Sequence, residues 1–257
     1  MENIDLIVTW GRNCDFPLWR SLMRIYRVQF RKVIVVFMET NAGNDYRDFV
    51  RENMAGFYID FIESPEVLPG QDWRNVSVNA GLAISDAPWI LFTEQDYFII
   101  NHDKFWPKVN EARKTNKVIG YVEKASGRLH PCFLLVKRGM LDRTSKNFGV
   151  TTDGDHFARF AKELQVNQKA MSLESLGLHQ RSSELDPGAG DFVHMNGLSH
   201  NHSLIHDGNY AGVYQPVEFK KYLRQCLALA DLGAELSPIW KREVFEYLNS
   251  TESRIIS

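Results

Sequence analysis

The chain has 257 residues, with 30 Lys+Arg against 32 Asp+Glu, a formal net charge of -2, 44% hydrophobic residues and 24% charged residues. That balance is globular: it excludes a disordered polymer, and the near-zero charge excludes a protein that captures a polyanion by bulk electrostatics. No window approaches the ~20 apolar residues of a membrane span. The acidic start Met1–Asp5 has no signal-peptide character, and Cys14, Cys132 and Cys226 form no CxxC pair, so a cytoplasmic protein without disulfides or a cysteine zinc site is expected.

The first third alternates strand and helix. Ile4–Trp10 reads as a buried strand ending at Gly11. Pro17 opens a helix whose apolar stripe is Leu18, Leu22, Ile25 and Tyr26. Val33–Met38 is a second strand, residues 45–54 a short helix, Phe57–Ile62 a third strand, Val76–Ser85 a helix and Trp89–Phe92 a fourth strand. Apolar strands separated by helices imply a parallel sheet with right-handed crossovers. Further on, helices are expected over 104–114 and 155–164, and strands over 118–122 and 131–136. Residues 172–212 have little periodicity and read as a functional loop region, and the tail returns to helix over 219–230 and 238–248.

Ligands of an open parallel sheet bind outside the carboxyl ends of its strands. Thr9, Gly11, Arg12 and Asn13 follow the first strand, Glu39, Thr40 and Asn41 the second, and Glu94, Gln95 and Asp96 the fourth. Several carboxylates brought to one edge suit a divalent cation and a polar ligand. GxGxxG and GxxxxGK[ST] are both absent, so neither the dinucleotide fingerprint nor the P-loop is present. Each acidic residue also has a plain reading, as a helix cap or a solvated loop charge.

The run Asp72-Trp73-Arg74-Asn75-Val76-Ser77-Val78-Asn79-Ala80-Gly81-Leu82-Ala83, followed by Ala87-Pro88-Trp89-Ile90-Leu91-Phe92-Thr93-Glu94-Gln95-Asp96, resembles the GT-A glycosyltransferases, above all the family 2 inverting nucleotide-sugar transferases. The resemblance is good over residues 4–100 and loose over 118–206. It implies a Rossmann-like, mostly parallel α/β sheet flanked by helices, with a mixed acceptor-side C-terminal half. One domain over 1–257 is expected: a nucleotide-sugar-binding half (1–100), an acceptor and metal half (101–212) and C-terminal helices (213–257). The activity implied is metal-dependent transfer of a sugar from a nucleotide-sugar, a UDP-sugar by choice, to a hydroxyl acceptor with inversion. Mn²⁺ or Mg²⁺ would neutralise the charge that develops on the diphosphate leaving group.

By the resemblance Asp96 ligates the metal, Glu94 contacts the ribose or a metal-bound water, Glu39 and Arg74 hold the nucleobase, and Thr9 lines the same pocket. The sequence departs from the family pattern in two places. Its acid pair is Glu-x-Asp instead of Asp-x-Asp, and its second strand ends Met38-Glu39-Thr40 instead of in paired Asp. An inverting transfer needs a general base. The segment Phe148–Phe160 resembles the one that supplies it, with Asp155 and Asp153 as candidates; a helix cap and a turn are their plain readings. His130–Arg138 resembles the strand beneath the acceptor, and Lys124, Arg128, His130, Lys137 and Arg138 make a basic rim.

Five of the eight histidines (His179, His194, His200, His202, His206) fall late in the chain. His200 and His202 face one way in an extended segment, so both reach one ion; His206 joins only if the chain turns. The resemblance places a metal ligand in this region. Two other readings stand beside the enzyme. One is a nucleotide-binding GT-A-like module whose altered Glu-Gln-Asp has lost catalysis. The other is a metallohydrolase of the HxHxDH type, which needs Asp where Leu204 stands. The acceptor stays open between carbohydrate, small molecule and, as a minority case, the modified DNA that some phage transferases glycosylate.

Overall fold

A computed structural model describes residues 3–10, 30–37, 59–63, 65–66, 68–69, 71–93, 97–99, 101–123, 127–149, 157–167, 170–180, 190–194, 203–206 and 209–212. In chain order these form β1 (Ile4–Trp10), β2 (Lys32–Phe37), β3 (Ile59–Glu63), α1 (Trp73–Ile84), β4 (Trp89–Thr93), β5 (Tyr97–Ile99), α2 (His102–Ala112), β6 (Val118–Val122), β7 (Leu129–Lys137), α3 (Arg138–Leu141), α4 (Ala158–Asn167), β8 (Met171–Ser172), a 3₁₀ turn (Glu174–Leu176), β9 (Phe192–His194), β10 (Ser203–His206) and β11 (Asn209–Gly212). The helices expected from Pro17, over 45–54 and in the tail lie outside the described residues.

The chain gathers into two compact units: Met1–Gly11, Arg27–Gln95 and Lys108–Gly177 make the first, and Arg12–Tyr26, Asp96–Pro107 and Leu178–Ser257 the second. The first holds a seven-stranded sheet in the order β3-β2-β1-β4-β7-β6-β8. β3, β2, β1 and β4 are parallel, and the largely apolar runs of β1, β2 and β4 suit strands covered on both faces. β7 runs antiparallel to both β4 and β6. The turn between β6 and β7 is closed by Glu123 N–H to Arg128 C=O (2.8 Å), with Gly127 at φ 66°. A left-handed residue there costs nothing only for glycine.

One face of this sheet is covered by α1 and α4. Gly81 lets α1 come close: a Cβ there would stand 2.9 Å from Ile7 Cγ2 and 3.1 Å from Val36 Cγ2. Under the other end, Phe92, Phe148, Phe157 and Phe160 pack ring to ring at centroid distances of 4.6–6.2 Å. Each fully buried Phe contributes roughly 1.5–3 kcal/mol of apolar burial.

The amino edge of the sheet is held by charge. Asp5 is 0% exposed inside an otherwise apolar strand. Its carboxylate accepts from Arg31 Nε (2.9 Å) and Nη2 (2.8 Å) and from Ser85 Oγ (2.7 Å). Arg31 also bonds Asp86, and these two carboxylates raise its pKa further, while Arg31 lowers that of Asp86. Arg138 donates to Ala87 C=O (2.7 Å), Ser85 C=O (2.6 Å) and Ser85 Oγ (2.8 Å). A buried carboxylate is tolerable when its lone pairs are filled this way.

In the second unit β5 pairs antiparallel with β9, and β10 with β11. Tyr97, Phe105, Trp106 and Phe192 form its aromatic core, with centroids 5.3–6.1 Å apart. Asp191, 3% exposed, accepts from Lys104 Nζ (2.9 Å) and His179 N–H (2.9 Å). His102 accepts at Nδ1 from Trp106 Nε1 (3.0 Å), and burial pushes its pKa down to about 4 against a weaker upward pull from the Ile99 backbone.

Candidate functional site

From β1 the chain goes to β2 and β3 on one side, whereas β4 lies on the other. The sheet order therefore reverses between β1 and β4, and the crevice outside their carboxyl ends is where such sheets take ligands. The register levels those ends: Trp10 pairs with Phe37, and Val8 with Thr93. Thr9 is thus the penultimate residue of β1, one residue, Met38, separates the end of β2 from Glu39, and Glu94 follows directly on β4. Thr93 Oγ1 donates to Cys132 C=O (2.8 Å), which ties the end of β4 to β7.

Arg74 lies in the first turn of α1, half-buried. Asp72 caps this helix, its Oδ1 accepting from Arg74 N–H (2.9 Å) and Asn75 N–H (3.2 Å). The helix thus starts at Trp73, three residues before the expected Val76, because an Asp cap satisfies its first free N–H groups. One turn apart on α1, Asn75 and Asn79 grip a neighbouring segment. Phe148 N–H donates to Asn75 Oδ1 (3.0 Å), and Asn79 Nδ2 donates to Lys146 C=O (3.2 Å). Neither asparagine was singled out in the sequence as a contact residue; their i, i+4 spacing on a helix was the available signal.

Glu39, Glu94, Asp96, Asp153, Asp155, His200 and His202 lie outside the described residues. Their flanks are placed. α4 starts at Ala158 instead of near Asp155, and Phe157 before it has φ 61°. Asp155 thus stands three residues, and Asp153 five, before the first residue of the helix. In the second unit Tyr97, the residue after Asp96, pairs with His194, the first histidine of the dense late run. Ser203–His206 is a strand, not a loop, and it pairs antiparallel with Asn209–Gly212, His206 opposite Asn209. Asp-Gly between two strands is a hairpin signature, a signal that the expectation of a loop over 172–212 passed over. Among the described residues no group of three or more His, Cys, Asp or Glu stands ready to hold a metal.

The basic rim does not hold together. β7 has Leu129 at one end and Lys137, paired with Trp89, at the other. At a rise of 3.3 Å per residue, His130 and Lys137 are roughly 23 Å apart. Arg138 is committed to the amino-edge network, Arg128 stands 3.9 Å from Glu123, and Lys124 is not described. Near His130, burial first, then the charges of Cys132, Glu123 and Glu174, push the Tyr121 hydroxyl up to about 12, so it stays a neutral phenol.

No protein-family model matches the chain, and no curated protein matches it. Solved structures do. The mannosyltransferase PcManGT from Pyrobaculum calidifontis, in complex with GDP-Man and Mn²⁺, is similar over 96% of this chain and 69% of its own, with 15% identity and a TM-score of 0.50. TarS 1-349 from S. aureus is similar over 96% of this chain and 69% of its own, at 12% identity and a TM-score of 0.47. Glucosyl-3-phosphoglycerate synthase from Mycobacterium tuberculosis is similar over 66% and 69%, at 12% identity and a TM-score of 0.44. With its seven-stranded sheet reversing order between β1 and β4, the chain has a GT-A-like fold.

Proposed function

We propose that the chain is a metal-dependent glycosyltransferase that moves a sugar from a nucleotide-sugar to a hydroxyl acceptor with inversion. The observation that carries this reading is the order reversal between β1 and β4, with the Glu94-Gln95-Asp96 run leaving β4 directly beside it. The same fold in PcManGT accommodates GDP-Man and Mn²⁺.

In this reading Thr9, Glu39, Arg74 and Glu94 bind the nucleotide. Asp96 holds the divalent cation, Mn²⁺ or Mg²⁺, together with His200 or His202. The donor set suits the ion: a carboxylate oxygen and an imidazole nitrogen are ligands that Mn²⁺ accepts. The pairing of Tyr97 with His194 supports it, because the segments bearing Asp96 and the histidines start side by side. When bound, the cation neutralises charge on the departing diphosphate. Asp153 or Asp155 takes the proton of the attacking hydroxyl, so that the acceptor oxygen arrives as a nucleophile on the face opposite the leaving group.

A carbohydrate or small-molecule acceptor is favoured over modified DNA, since the basic residues of β7 are split between its two ends and offer no continuous track for phosphates. Among the described residues no helix is long and apolar enough to cross a membrane, and a cytoplasmic site of action is part of the proposal.

The test is a donor screen by mass spectrometry, with UDP- and GDP-sugars and Mn²⁺. Turnover that is lost on chelation and lost in Asp96→Ala supports the enzyme. Nucleotide binding without turnover supports the non-catalytic module. Zinc-dependent hydrolysis without nucleotide affinity overturns both.

A further inference from the structure

The two ends of β7 do not make a common rim, but the Lys137 end meets residues of two other elements. On one side Lys137 pairs with Trp89, the first residue of β4. On the other its N–H donates to Lys117 C=O (2.9 Å), which continues the ladder in which Val136 pairs with Val118. Residues directly opposite on antiparallel strands carry their side chains on one face, with Cα atoms about 5.5 Å apart in a hydrogen-bonded pair. Trp89, Lys137 and Lys117 thus form one row on one face of the sheet, all within the first unit.

A third cation enters from the end of α2. Arg113 directly follows that helix, and its guanidinium stands over the Trp89 ring, 5.5 Å from the centroid. The passage from α2 to β6 is closed by Asn116, whose N–H and Nδ2 both donate to Ala112 C=O at 2.9 Å. Arg113 and Lys117 are therefore held on the two sides of one tight turn. Burial lowers the Arg113 pKa from its ordinary value, as it does for a cation partly withdrawn from water. Arg138, the residue after Lys137, is bound to Ala87 C=O and Ser85 C=O and stays outside the row.

Cations at the end of a helix have a plain explanation, since they offset the partial negative charge of its last carbonyls. That explanation covers Arg113, and it covers Lys114, which bonds Glu111. It does not cover Lys137, which belongs to a different element, or Lys117 directly opposite it. Like charges so placed repel. Both lysines are exposed, and among the described residues no carboxylate bonds either: Glu111 is taken by Lys114 and Asp142 by Lys146. The row is too short to follow a nucleic-acid backbone, which needs many phosphate contacts in succession. It matches one compact anion with several oxygens, because each ammonium offers three rotatable donors and the guanidinium a planar fork.

We propose that Lys117, Lys137 and Arg113 form a binding site for a single phosphoryl or diphosphoryl group, free in solution or carried on a lipid headgroup. The site lies at the amino end of β4, the end away from Glu94, and it does not depend on the glycosyltransferase reading.

The experiment uses the full chain in EDTA, so that no divalent cation draws the probe elsewhere, and follows backbone amide shifts on titration with pyrophosphate. Saturating shifts are expected at Trp89, Arg113, Lys117 and Lys137. The double variant Lys117→Ala, Lys137→Ala should weaken binding by about tenfold or more, as the loss of two charge-assisted contacts does. Lys114→Ala is the control: it removes a charge from the same turn that is already paired and exposed, and should change affinity by less than about twofold. Absence of saturating shifts at the row overturns the proposal, and so does a Lys114→Ala variant as weak as the double variant. The double variant should also keep its thermal midpoint, since it relieves a like-charge contact; a clear fall would make the lysines structural and overturn the site. Two further arms separate the sources. Co-sedimentation with phosphatidylcholine vesicles containing phosphatidic acid, absent with pure phosphatidylcholine and lost in the double variant, supports the site with a lipid headgroup as ligand. Pyrophosphate binding without co-sedimentation supports it with a soluble phosphate.

Discussion

The two ends of the same parallel strands are built on opposite principles. At the amino edge Asp5, Arg31, Ser85, Asp86 and Arg138 bond one another, and the carboxylate of Asp5 has all its partners within the protein. At the carboxyl edge the strands end in polar runs, and the side chains of α1 grip backbone instead of charge. Charge at the first edge is consumed in holding the sheet together. In the proposed function, the acidic residues that follow the strands at the second edge are the ones that meet the ligand. A charged residue beside a buried strand is thus uninformative until one knows which end of the strand it occupies.

Substitutions at the two edges should separate activity from stability. Asp96→Ala should lower donor turnover by about 10²–10³-fold, as the loss of a group that stabilises developing charge does. Its thermal midpoint should stay unchanged, and a large fall would move Asp96 into the structural class. Asp5→Ala should do the reverse. Removing one partner of a buried pair costs about 3 kcal/mol, at the low end of the range because Arg31 is 35% exposed and regains water. Denaturant titration should show that loss while turnover per folded molecule is kept.

A titration adds a check on the second unit. His102 is neutral when folded, with a pKa near 4 against an ordinary 6.5. Between those values the unfolded chain binds a proton that the folded chain refuses. Stability is therefore complete above pH 6.5 and falls as pH drops towards 4, by up to roughly 3 kcal/mol. Denaturation midpoints across that window should show the slope, and His102→Gln should flatten it. The smallest effect is expected at Gly81→Ala, where the new methyl meets Ile7 and Val36. Overpacking of that kind costs about 1–3 kcal/mol, and turnover should survive it.

The sequence showed β1 to the residue, because Ile4–Trp10 is a long apolar run closed by glycine. It also showed α1 and β4, where helical period and strand composition are strong, though it missed the first turn of α1, which depends on one cap. Other features were illegible for physical reasons. The role of Asp5 leaves no local signal, since its partners Arg31 and Ser85 are distant in sequence. The antiparallel course of β7 leaves no trace in its composition, which is as apolar as that of its parallel neighbours. β10 and β11 are poor in β-branched residues and fall in the stretch expected to be a loop. Of the candidate site, the edge was legible from strand order, whereas Asn75 and Asn79 were hidden because their partners are backbone groups.

The pairing of β5 with β9 has a consequence for synthesis. The parallel strands β1 to β4 are all complete once residue 93 has been made, but Tyr97 waits for His194 across the whole of residues 100–191. A chain emerging from the ribosome can therefore assemble its parallel sheet well before it can close the strand pair beside Asp96. Pairings this remote are slow to form, because the intervening chain must be closed first. A nascent chain halted near residue 180 would carry the sheet and its amino-edge network without the strand that opens the histidine run. Any nucleotide affinity of that truncated chain would belong to the sheet alone.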